Sequence, residues 1–183
     1  MQIGMRVQQD KGRNMDRRSI LTIGAASAGL ALLPRAAMAQ SKTLKEQIVG
    51  DWTLISWVQT RSDGSKNYRF GNNPKGINTF SAAGRFSLVI VQADLPKISS
   101  NDPMKPSAEE AEAIVRGSIA YYGTYSVDEA AKTINMQLDG TTLTNQLGIP
   151  QKRSIDSISA EEMHYSNPTA VGTGRIEVAW KRA

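Results

Sequence analysis

The stretch Ile119-Ala120-Tyr121-Tyr122-Gly123-Thr124-Tyr125-Ser126-Val127 is followed, after Asp128-Glu129-Ala130-Ala131, by Lys132-Thr133-Ile134-Asn135-Met136-Gln137-Leu138. These residues decide the fold class. Tyr121, Gly123, Tyr125 and Val127 alternate with Tyr122, Thr124 and Ser126; Ile134, Met136 and Leu138 alternate with Thr133, Asn135 and Gln137. A period of two with one apolar face describes antiparallel strands that are wet on one side. The four residues between the runs are a hairpin connection.

Outward from this hairpin the pattern repeats. Residues 75–80 and 85–92 flank Ser81-Ala82-Ala83-Gly84, a second four-residue connection ending in glycine. Residues 48–58 are rich in aromatic and β-branched side chains and run into the turn Arg61-Ser62-Asp63-Gly64-Ser65. Residues 151–157, 163–166 and 175–181 complete eight strands, the last with Ile176, Val178 and Trp180 on one face. Residues 40–45 read as a polar lead-in.

One helix interrupts the strands. Ser107 followed by Glu110 is a capping box, Ala108, Ala111, Ile114 and Val115 form one apolar face, and Gly117 ends the segment. Glu109, Glu110 and Glu112 favour the positive end of that helix and face solvent, so they are not a catalytic cluster. The pattern predicts an all-β protein: an eight-stranded antiparallel barrel with one short helix, a two-sheet sandwich being the alternative. Strands joined by tight hairpins in chain order favour the barrel, whose interior holds one small ligand.

Composition narrows the chemistry. The 183 residues contain no cysteine and one histidine, which removes disulfides, thiol nucleophiles and multi-histidine zinc sites. The net charge of +5 sits mostly in residues 1–39, which carry six basic and two acidic residues. The rest holds 16 basic and 15 acidic residues, so a nucleic-acid partner has no electrostatic support. No Gly-x-Ser-x-Gly elbow is present. Gly172-Thr173-Gly174 has Glu177 where a dinucleotide fingerprint needs glycine and enters a strand, so it reads as a turn. Asn73-Pro74-Lys75-Gly76 reads as a turn as well, and no carboxylate run has calcium-loop spacing. His164 alternates with Met163 and Tyr165, which puts it on the outer face. No cofactor is expected.

Residues 1–39 read as an address. Arg17-Arg18 precede an apolar run, residues 20–33, whose 14 residues are too short to span a bilayer of roughly 30 Å. Pro34 breaks the run, and Ala37-Met38-Ala39 offers the small-x-small pattern of a signal peptidase site. The paired arginines resemble the twin-arginine export signal of bacteria, with Met15 as a possible start. The expectation is cleavage between Ala39 and Gln40, a periplasmic or secreted mature domain over residues 40–183, and no stable membrane anchor.

Gly50-Asp51-Trp52 at the head of the first strand, with Trp180 and Arg182 at the end of the last, resembles the lipocalin pattern. That resemblance implies a tryptophan closing the barrel base with an arginine packed on it. Phe70-Gly71-Asn72-Asn73-Pro74-Lys75-Gly76, Ala83-Gly84-Arg85-Phe86-Ser87, Asp94-Leu95-Pro96-Lys97 and residues 121–128 together resemble the bacterial lipocalin-like domain family, over residues 48–183. The resemblance implies histidines in many relatives on the strand that here reads Ile134-Asn135-Met136-Gln137-Leu138, which has none.

Three functions fit such a barrel. The first is a binder of a small, largely apolar molecule, with Leu54, Phe86, Leu88, Ile90, Met136 and Val178 as lining and Tyr121 and Tyr125 as polar handles. The second is a small isomerase or cyclase using a lumen tyrosine as general acid. The third is a barrel filled by its own side chains. Scaffold alone does not choose among them.

Overall fold

The computed structural model describes residues 42–168 and 174–183. The leader features and the first two residues of Gly172-Thr173-Gly174 lie outside the described residues.

A short helix α1 (Leu44–Ile48) leads into β1 (Gly50–Thr60), β2 (Lys66–Asn67), β3 (Lys75–Phe80) and β4 (Arg85–Val91). Helix α2 (Ala108–Arg116) follows, then β5 (Ser118–Asp128), β6 (Thr133–Thr141), β7 (Gln151–Ile158), β8 (Glu162–Pro168) and β9 (Arg175–Arg182). The sheet runs β1-β3-β4-β5-β6-β7-β8-β9, every neighbour antiparallel, and β1 pairs with β9 to close the ring. This is the expected eight-stranded barrel; β2 is a two-residue flap on the end of β1. Closure satisfies both edge ladders at once, which an open sheet leaves exposed.

Register follows side-chain parity. Leu88 pairs with Tyr121, Tyr125 with Met136, and Leu54 with Trp180, so each apolar row meets an apolar row. Each row faces the interior. Tyr122, of opposite parity, is 52% exposed. Irregularities in register at Leu54/Ser56, Tyr122/Gly123 and Ile155/Ser157 bend the strands round the ring.

Two local readings change. Residues 40–45 are not simply a lead-in: the Thr43 hydroxyl accepts from the Glu46 amide while Glu46 accepts from Thr43, a capping box that starts α1. The Glu129 carboxylate, in the β5–β6 turn, accepts from the Leu44 and Lys45 amides at 2.8 and 3.0 Å and pins the helix to the barrel base. Helix α2 forms with its predicted cap, but its apolar face is only half covered, and Val115 is 64% exposed. Its length fits the loop between β4 and β5, yet only Ala111 and Ile114 of that face turn partly inward.

Candidate functional site

The two ends of the barrel are finished by different residues, and each set is particular. At one end Trp52 and Trp180 are fully buried. Trp52 Nε1 donates to the Ile48 carbonyl at 2.8 Å, which joins α1 to the floor. The Arg182 guanidinium lies 4.1 Å from the Trp52 ring centroid and donates to the carbonyls of Gln47, Val49 and Ala160. Gly50 carries φ +133°, and a Cβ there would stand 2.7 Å from Arg182 Nη1. The glycine of Gly50-Asp51-Trp52 is therefore required by backbone conformation and by the arginine it admits.

At the opposite end the chain between β2 and β3 turns Phe70 inward. Its ring packs edge-on against Trp57 at 5.3 Å, with the Arg69 guanidinium over the ring, 5.0 Å from its centroid. Phe70 is 1% exposed and joins the core at this end.

Between the two ends, all eight expected lining residues are buried on the inward face: Leu54 on β1, Phe86, Leu88 and Ile90 on β4, Tyr121 and Tyr125 on β5, Met136 on β6 and Val178 on β9. Aromatic rings fill the lower part, with Phe80 5.0 Å from Tyr125 and Phe86 6.0 Å from Tyr121, both edge-to-face. The two tyrosines part company in their hydroxyls. Tyr125 donates to the Ser81 carbonyl at 2.8 Å and so anchors the β3–β4 turn. Tyr121 accepts from Arg153 Nη2 at 3.4 Å, in the middle of the barrel.

Arg153, Tyr165 and Asn78 are interior polar residues that the sequence reading passed over. Arg153 on β7 shares the face of Ile155, and the alternation of that strand carried the signal. Tyr165 on β8 is inward beside it, with Arg153 and Tyr121 close enough to act on its ionisation. Burial pushes the Tyr165 phenol well above its ordinary value, and Arg153 opposes this only in part. For Arg153, burial works against the charge, and the neighbouring Tyr121 and Tyr165 oxygens favour it. Asn78 on β3 is fully buried, and neither of its amide atoms has a partner among the described residues.

Tyr165 gives a pH prediction. A phenol whose ionisation is raised by folding contributes stability below its unfolded pKa of about 10, and loses it as pH rises past that value. Unfolding free energy should therefore fall more steeply above that pH in the native sequence than in Tyr165→Phe. Parallel alkaline limbs in urea titrations would show that the phenol ionises as freely as in the unfolded chain.

His164 faces outward, 3.2 Å from the Glu162 carboxylate, away from the lumen. Glu110 caps α2 and Glu112 pairs with Arg116 at 2.7 Å, both on the surface. Among the described residues no three His, Asp or Glu side chains gather as a metal site, and no helix is long and apolar enough to cross a membrane.

The family model described as a lipocalin-like domain matches residues 49–183. The chain belongs to the lipocalin-like domain family. A search of curated proteins finds no match. Among solved structures, a lipocalin-like protein from Bacteroides uniformis aligns with 13% identity and a TM-score of 0.42, covering 75% of this chain and 99% of that one. A redesigned β-barrel aligns at 12% identity and TM-score 0.40, over 78% of this chain and 97% of that chain. A de novo designed fluorescence-activating β-barrel aligns at 11% identity and TM-score 0.39, over 78% and 99%. In this lipocalin-like domain the Trp52–Arg182 pair sits where the sequence pattern implied it, at the barrel base.

Proposed function

We propose that this lipocalin-like domain holds one small, largely apolar molecule in its lumen. Leu54, Leu88, Ile90, Met136 and Val178 supply an apolar wall of the kind such pockets use, and a few polar groups would fix orientation. Asn78 is the observation that carries the reading. A carboxamide held in an apolar interior with neither atom bonded is costly, and such groups in native proteins have a reason to be kept. A guest with a polar end gives that reason. The edge-to-face packing of Phe80, Tyr125, Phe86 and Tyr121 supports a second reading, a barrel filled by its own side chains.

A neutral naphthylamine fluorophore separates the two. The binding reading expects saturable one-to-one enhancement, lost when Leu88→Trp narrows the lumen in a variant that still folds. No enhancement, or enhancement that Leu88→Trp leaves intact, goes against lumen binding.

The leader supports a further part of the proposal, export of the domain by the twin-arginine route. Mature protein should begin at Gln40, and replacing Arg17 and Arg18 by lysine should hold the precursor in the cytoplasm. Continued processing of that variant would exclude the twin-arginine route.

A further inference from the structure

Among the described residues, Arg153 is the charged side chain buried in the barrel, at 5% exposure. Its Nη1 donates to the carbonyl of its neighbour Lys152 at 2.9 Å, and its Nη2 reaches the Tyr121 hydroxyl at 3.4 Å, a long contact. Its Nε has no partner among the described residues. The carboxylates among those residues that form ion pairs do so with Arg85, Lys105, Arg116, His164 and Arg175, none with Arg153. Arginine does not relieve burial by losing its proton, unlike lysine or histidine. The Tyr121 and Tyr165 hydroxyls assist this guanidinium but, being neutral, do not cancel its charge, so a fold keeps such a group where something answers the charge.

What surrounds it narrows that something. Tyr165 lies beside Arg153 on the adjacent strand, and Tyr121 touches it from β5. In the ring of eight strands β3 and β7 stand four apart, so Asn78 and Arg153 belong to opposite walls. Incompletely partnered polar groups thus stand on opposite walls of the barrel, one of them a fixed cation, with no buried acid among the described residues to balance it. The end of the barrel away from Trp52 repeats the sign. Arg61, Arg69 and Arg116, with Asn67 and Gln92, line a recess of about 430 Å³ there. Arg116 is paired with Glu112, whereas Arg61 donates to the Ser65 hydroxyl and Arg69 to the Arg116 carbonyl. A positive recess raises the local concentration of anions.

We infer that the lumen selects a monoanion, an apolar carboxylic acid whose carboxylate is held by Arg153 between the Tyr121 and Tyr165 hydroxyls, with the Asn78 amide on the facing wall. A carboxylate fits the guanidinium fork through two parallel bonds and cancels its single charge. A phosphate ester would bring a second negative charge that no other buried cation among the described residues meets. The apolar body lies along Leu88, Ile90 and Val178. This inference rests on the lumen-binding reading and adds the chemical class of the guest.

The test pairs two probes that differ in charge and by one methyl group, dansyl-undecanoic acid and its methyl ester, titrated by fluorescence at neutral pH into the native protein, Arg153→Met and Arg153→Lys. The acid should bind the native protein at least roughly tenfold more tightly than the ester. Arg153→Met should erase that preference and leave the ester unchanged, while Arg153→Lys should keep part of it. Equal binding of acid and ester to the native protein would overturn the inference and leave lumen binding standing. Failure of both probes to bind would overturn both. If Arg153→Met does not fold, the acid-to-ester ratio on the native protein decides alone.

Discussion

Trp52→Ala should lower the unfolding free energy by about 3–5 kcal/mol, the range for deleting a large buried aromatic. The floor explains why the full range is expected there. Trp52 is completely buried, its indole N–H holds the Ile48 carbonyl of α1, and its ring supports the Arg182 guanidinium. Removing it opens a cavity and frees α1 and the C-terminal strand end together. A loss of this size is a large share of the 5–15 kcal/mol that stabilises a typical domain. Urea unfolding should show a lower midpoint with the slope preserved. A loss below about 1 kcal/mol would place Trp52 outside the cooperative core.

Arg182→Ala should cost less, about 2 kcal/mol, because part of its surroundings is solvated and freed carbonyls can turn to water. Three backbone oxygens from separate segments meet this one side chain: Gln47 from α1, Val49 ahead of β1, and Ala160 from the β7–β8 turn. The fork of donors does the joining, so Arg182→Lys should recover only a fraction of the loss. The face of Trp52 adds a cation–π contribution of about 0.5–2 kcal/mol. Trp52→Ala and Arg182→Ala should therefore couple in a double-mutant cycle by about 0.5–2 kcal/mol. Strict additivity would mean that ring and guanidinium do not interact in solution.

The barrel was legible because its information is local. Alternation in residues 121–127 and 134–138 sets which side chains turn inward, and tight hairpins at Ser81–Gly84 and after Asp128 leave neighbouring strands little choice of partner. The roles of Gly50, Trp52 and Arg182 came instead from the resemblance to the lipocalin pattern, since they involve contacts between both ends of the chain that only ring closure brings together. Helix α1 was missed although Thr43 and Glu46 spell a capping box, because its five residues carry too little periodicity to stand out from a lead-in.

The candidate site was legible in its wall and not in its polar centre. Parity alone identifies Leu88 or Met136 as inward, since an apolar residue in an alternating strand has one comfortable side. Arg153 follows the same parity, yet arginine is ordinarily exposed, so composition hides what alternation states. Tyr125 shows the opposite difficulty. Parity places its ring correctly, but the partner of its hydroxyl, the Ser81 carbonyl, depends on how the β3–β4 turn folds under the barrel. Asn78 becomes notable only when all its neighbours are known, because a missing partner is a property of the packed interior.

Organic extraction of the mature protein purified from its own compartment, followed by mass spectrometry against protein concentration, tests the central claim most directly. The account predicts one equivalent of a small molecule with an apolar body and a single carboxylate, released on unfolding and depleted in Arg153→Met. Native protein that carries no small molecule, and takes up neither the acid probe nor its ester, would contradict it and make the domain a barrel packed with its own side chains.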